Sequence, residues 1–173
     1  MSQLARWMRA HPANWFHHMK CFAIGTEGLG ACSAIVIASS RGAIFAHISP
    51  RPTASVSDPY AGDNNICRLM GEVTALYMRY RDEYFSSHTD TLAVGALYQG
   101  AIALPDQVQI MHSALSRLGP SVWTYDVPGN YTNPGQGTVL AIGNRGLTSL
   151  ELPNDGRARI YVEDQQYVPR PPS

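Results

Sequence analysis

Thr26-Glu27-Gly28-Leu29-Gly30-Ala31-Cys32 runs directly into Ser33-Ala34-Ile35-Val36-Ile37, and Ala43-Ile44-Phe45-Ala46-His47-Ile48 follows after a short gap. The two apolar runs are short and rich in β-branched residues, which marks strands. Ser39-Ser40-Arg41-Gly42 between them is turn material, so the pair reads as an antiparallel hairpin. Facing residues in a hairpin have a constant index sum. Cys32 facing His47 puts the centre of the turn between Ser39 and Ser40, inside the turn segment. Period-two alternation then puts both side chains on one face, with Cβ atoms roughly 4.5–5.5 Å apart. A turn centred on Arg41-Gly42 keeps them on that face but offsets them, and an odd-length loop separates them.

A cysteine among small apolar residues is most often an inert core group, and a histidine on a strand is most often structural. Their joint placement favours a thiol nucleophile and its base. Gly28 and Gly30 let backbone come close to a ligand, and N–H groups near Gly30, Ala31 and Cys32 are candidates for an oxyanion hole.

The rest of the chain reads as one α+β domain. Cys21 to Ile24 is a short strand entering the glycine turn. A loop rich in Pro, Ser and Asp follows His47 and is placed to wall a cleft. Ile66, Leu69, Met70, Val73, Tyr77, Tyr80 and Tyr84 follow helical spacing, with Asp63, Asn64 and Asn65 as N-caps. Cys67 on this helix reads as structural. Thr91 to Tyr98 is a strand. Pro105 opens a second helix that runs to Leu118 before Gly119, with Val108, Met111, His112 and Leu115 on its apolar face. Ser121 to Val127, Gly137 to Ile142, Leu147 to Leu152 and Arg157 to Glu163 are strands. The expected architecture is a layered β-sheet sandwich with about two main helices packed outside. Residues 1–20 read as an arm, 21–163 as the domain and 164–173 as a flexible, Pro-rich tail.

Composition narrows the function classes. Lys and Arg total 13, Asp and Glu total 13, and the arginines are scattered, so no nucleic-acid partner is expected. Three cysteines at wide spacing make no disulfide framework, and no Cys-x-x-Cys or His-x-x-x-His pair suggests zinc. No cofactor and no metal are expected. The N-terminus lacks the apolar core of a secretory signal, and no stretch is long enough to span a membrane. A reducing, cytoplasmic compartment is the expected home and keeps a catalytic thiol reduced.

The pattern Thr-x-Gly-Leu-Gly-Ala-Cys, then Ala46-His47-Ile48-Ser49-Pro50, resembles the bacterial chemoreceptor glutamine deamidases, the CheD family. Tyr98-Gln99-Gly100-Ala101 is similar to that family's Gly-Gly-Ala, and Asp126-Val127-Pro128-Gly129-Asn130 to its Asp-Val-Gly-Gly-Asn. Order and rough spacing agree over residues 22–130. The same Cys–His sandwich occurs in the cytotoxic necrotizing factor toxins, where the two residues have the separation found here. Ala31 in place of Ser, Pro128 and the N-terminal arm depart from the chemoreceptor pattern.

The resemblance implies a deamidase fold with Cys32 as nucleophile, His47 as its base and Thr26 orienting the histidine. It adds Gln99 and Gly100 to Gly30 and Ala31 as oxyanion or substrate-binding positions. The expected activity is cysteine-dependent hydrolysis of a carboxamide through a thioester, on a protein glutamine or a small carboxamide. If an amine replaces water, the same site is a transglutaminase. Two alternatives stand beside it. One is a small-molecule amide, ester or thioester enzyme of a biosynthetic pathway; the loops around Tyr60, Tyr125 and Tyr131 favour such an uncharged substrate. The other is a non-catalytic binding module on the same fold.

Overall fold

The computed structural model describes residues 23–51, 57–86, 88–127, 135–143 and 157–169. In chain order these form β1 (Ala23–Thr26), β2 (Ser33–Ser39), β3 (Ala43–Ile48), α1 (Ala61–Tyr84), β4 (Thr89–Tyr98), β5 (Ala101–Ile102), α2 (Pro105–Ala114), a 3₁₀ turn (Ser116–Leu118), β6 (Ser121–Asp126), β7 (Val139–Ile142), β8 (Arg159–Val162) and β9 (Gln165–Tyr167). The expected arm over 1–20 and the strand over 147–152 lie outside the described residues, as do the glycine-containing turns at 144–146 and 154–156.

Two sheets and two helices stack in three layers, so the α+β expectation holds. The small sheet has the order β1-β7-β8-β9. The large sheet has the order β3-β2-β4-β5, with β6 added parallel to β4. One apolar cluster lies between the large sheet and the helices, built on Ile35, Ile37, Ile66, Leu69, Val73 and Met111. A second lies between the two sheets, built on Val36, Phe45, Leu92, Val94, Val139 and Ile160. Every residue of β2 is buried, as a strand covered on both faces requires, and its sequence is correspondingly apolar from Ala34 to Ala38, between two buried serines.

Four expectations need correction. The helix starts at Ala61, so Asp63, Asn64 and Asn65 lie inside its first turns and none is the N-cap. Asp58 does that work from outside: its side chain accepts the Tyr60 N–H at 2.9 Å and its carbonyl accepts the Ala61 N–H at 3.2 Å. Cys67 is exposed rather than structural. Gly25 is a strand residue paired with Leu140, so the corner begins only after Thr26. Finally, the presumed loose tail contains β9. Tyr167 is only 8% exposed and its hydroxyl meets Ser121 at 2.7 Å, which ties the small sheet to the large one. Burying that ring outweighs the polar, Pro-rich character that suggested disorder.

The second helix follows expectation more closely. Pro105 occupies its first turn, and the segment closes through the 3₁₀ turn onto Gly119 in the left-handed region at φ 58°.

Candidate functional site

The hairpin register is shifted from the simplest expectation. Ala34, not Cys32, faces His47, and the turn is Ser39–Gly42 with the Ser39 N–H bonded to the Gly42 carbonyl at 2.9 Å. The shift is two residues, so parity survives: Cys32, Ala34 and His47 still share the face toward the small sheet. Ser39 sets this register. It is buried, it receives the Arg41 and Gly42 N–H groups, and its hydroxyl donates to the Tyr84 carbonyl at the end of α1. Cys32 and His47 are therefore diagonal neighbours on one face, offset by two residues, and no hydrogen bond joins the thiol to the imidazole.

Glu27 to Cys32 forms the corner where the chain leaves the small sheet and enters the large one. Gly28 and Gly30 have φ of 66° and 57°, a region costly for other residues. Leu29 between them is 1% exposed and anchors the corner in the inter-sheet cluster, with its N–H bonded to the Gly137 carbonyl at 3.0 Å. The Cys32 N–H returns to the Leu29 carbonyl at 2.8 Å and closes a tight turn over Gly30-Ala31. That bond removes Cys32's own N–H from the candidate oxyanion donors. Gly30 and Ala31 keep theirs without a partner among the described residues.

Thr26 ends β1 in the small sheet, and His47 lies in β3 of the large one. Thr26 Oγ1 and His47 Nδ1 are 2.9 Å apart, so one hydrogen bond spans the two layers beside Cys32. Thr26 Oγ1 also lies 3.5 Å from the Glu27 carbonyl, so its proton has two acceptors in reach, that carbonyl and Nδ1. With the hydroxyl donating to the carbonyl, Nδ1–H donates to Oγ1 and Nε2 keeps its lone pair, the tautomer that a base needs; with the hydroxyl donating to Nδ1, Nε2 carries the proton.

Both groups are half-buried. Burial pushes the Cys32 thiol above its ordinary range and the His47 imidazole below its own. Near neutral pH both groups are thus uncharged, a thiol and a neutral imidazole rather than a standing ion pair.

The same burial predicts a pH window for stability. Below the ordinary imidazole value of 6.5, the unfolded chain takes up a proton that folded His47 resists, so stability falls as pH falls toward the lowered folded value. Above the ordinary thiol value of 9.0, the unfolded chain releases a proton that folded Cys32 keeps, so stability falls as pH rises. The urea midpoint is expected to be highest between these values. His47→Gln is expected to flatten the acid side relative to wild type; an unchanged slope there would exclude His47 as its source.

Tyr125 belongs to the site, although the sequence suggested a substrate-facing loop. It lies on β6, is 3% exposed, and its one hydroxyl proton is shared between the Cys32 carbonyl at 2.6 Å and the Gly30 carbonyl at 3.0 Å. Tyr60 is 67% exposed at the start of α1, and Tyr131 lies outside the described residues. Gln99 and Gly100, both at positive φ, form the two-residue turn of the β4–β5 hairpin. That turn stands at the same end of the large sheet as Cys32.

An open groove of about 900 Å³ begins at Thr26 and Glu27 and crosses to Leu140, Tyr161, Glu163 and Asp164. Cys32 and His47 do not line it. Among the described residues no cluster of three or more His, Cys, Asp or Glu is placed to hold a metal ion. No helix among them is long and apolar enough to cross a membrane.

No family model, no curated protein and no solved structure matches the chain.

Proposed function

We propose that this chain is a cysteine-dependent amidohydrolase acting on a carboxamide, in the manner of the glutamine deamidases it resembles in sequence. One observation carries the reading: the Thr26–His47 hydrogen bond holds an imidazole on the face shared with Cys32. The bond by itself would also satisfy a structural histidine; the cysteine on the same face and the two unpaired N–H groups favour the catalytic reading.

The chemistry runs from the uncharged pair. His47 Nε2 takes the Cys32 proton as sulfur attacks the amide carbon. The developing oxyanion is met by the N–H groups of Gly30 and Ala31. The imidazolium returns the proton to nitrogen, the C–N bond breaks, and ammonia leaves a thioester on Cys32. Water, deprotonated by His47, then cleaves the C–S bond and yields a carboxylate and the free thiol. Raised acidity is not needed in the resting thiol, because the proton moves as the bond forms.

The preference for a glutamine carried on a polypeptide comes from the sequence resemblance; the open groove beside Thr26 leaves out Cys32 and His47 and does not bear on it. Burial of Tyr125 also removes one of the aromatic residues that had favoured a small uncharged substrate.

The test is ammonia release and glutamine-to-glutamate conversion, followed by mass spectrometry, on an unfolded glutamine-rich protein and on free glutamine. Release from the polypeptide is expected. Release from the free amide alone would move the substrate to a small molecule. If neither reacts and Cys32 shows no acyl transfer from any activated ester, the fold serves binding instead.

A further inference from the structure

We propose that Tyr125 is a positioning residue that aims the Ala31 N–H outward beside Cys32. The proposal rests on the catalytic reading of Cys32 and deepens it.

The peptide between Gly30 and Ala31 is trans, like every described peptide. A trans peptide is planar, so its C=O and N–H point in opposite directions. The Tyr125 hydroxyl holds the Gly30 carbonyl at 3.0 Å from a buried position on β6. The N–H at the other end of that peptide must then point away from the core. Ala31 is exposed, and its N–H has no partner among the described residues.

The second half of the contact fixes the nucleophile itself. The same hydroxyl lies 2.6 Å from the Cys32 carbonyl, so one group meets the Gly30–Ala31 peptide and the Cys32–Ser33 peptide. The Cys32 N–H is already used by the Leu29 carbonyl. Of the N–H groups next to the sulfur, Ala31's is the one whose direction a side chain sets.

The clamp stands on a rigid base. Tyr125 pairs with Ala96 in the parallel β4–β6 ladder, and its ring lies in the inter-sheet cluster. Tyr125→Phe keeps the ring and removes the clamp. The central peptide of a tight turn is then free to flip, which presents a carbonyl oxygen outward in place of the N–H.

Two reagents separate this role from simple packing. Acyl transfer from 4-nitrophenyl acetate forms an S–C bond at a carbonyl, passes through an oxyanion and expels nitrophenolate. Alkylation by iodoacetamide forms an S–C bond at a saturated carbon and expels iodide, with no oxyanion; in both, the thiol proton goes to His47 or water. Tyr125→Phe is expected to slow acylation by about 10–10²-fold, approaching the loss of an oxyanion-hole donor, while alkylation of Cys32 stays within about twofold. Ala31→Pro deletes the N–H directly at a position of negative φ and is expected to give the same split, which keeps the test open if the tyrosine variant folds poorly. A parallel fall in both rates, or no change in either, overturns the proposal. If wild-type Cys32 releases no more nitrophenolate than Cys32→Ser, the catalytic reading itself fails and takes this inference with it.

Discussion

Cys32→Ser is expected to reduce ammonia release from a glutamine-rich protein to background, and His47→Ala to reduce it by about 10²–10⁴-fold, the usual contribution of a general base. The argument rests on the resting state. Burial keeps the thiol protonated, so sulfur attacks only as a base removes its proton. A serine hydroxyl is a far weaker acid, and half-buried His47, with its lowered basicity, cannot ionise it. Thr26 offers a graded check on the same pair. Thr26→Val removes the 2.9 Å bond that orients the ring. Its cost is expected to be smaller, about 10²-fold at most, as for a misplaced catalytic group, and Thr26→Ser should restore most of the rate. The pH profile adds a readout independent of folding: wild-type activity should extend to acid pH values at which a solvent-exposed histidine is already protonated, because burial holds His47 below 6.5. Full activity in His47→Ala would remove the dyad from the mechanism.

Gly25→Ala is expected to damage stability and activity together. A Cβ on Gly25 would lie 2.4 Å from the Val139 carbonyl oxygen and 3.0 Å from Leu140 Cδ1. The first of these is backbone and cannot swing aside, so β1 must move off β7. The expected cost is about 1–3 kcal/mol for overpacking, or roughly 2–12 °C in Tm for a chain of this size. Thr26 is the next residue on the displaced strand and carries the bond to His47, so the rate should fall as well. Gly71 provides the contrast. It lies inside α1, and a Cβ there meets nothing within 4 Å. Gly71→Ala should raise stability by about 0.8–1 kcal/mol through helix propensity alone and leave the site untouched. Thermal unfolding of the two variants, with activity measured on each, decides the matter. An unchanged Tm in Gly25→Ala would mean that β1 is not held against β7 as described.

Local pattern made much of this protein legible. The apolar run Ala34 to Ala38 of β2, the helical spacing from Ile66 to Val73, and the Pro105 and Gly119 ends of the second helical segment were readable because each is enforced by neighbours within a turn or two. So was the shared face of Cys32 and His47: strand periodicity is two, and any even shift preserves it. The register itself was not readable. Ser39 chooses it by bonding both its own turn and the Tyr84 carbonyl at the far end of a helix that begins after the hairpin. Long-range pairing also decided β9, whose polar sequence gives no hint that Tyr167 is buried against Ser121. The same holds for the site. The sequence by itself determined that a glycine corner delivers a cysteine, and that a histidine follows on the same face. Only the tertiary structure decided that the corner joins two sheets, that Thr26 from one sheet holds His47 in the other, and that Tyr125, about a hundred residues away along the chain, clamps the carbonyls around Ala31. The physical reason is that periodicity and propensity act over a few residues, whereas these bonds form only once two separately built layers close on each other.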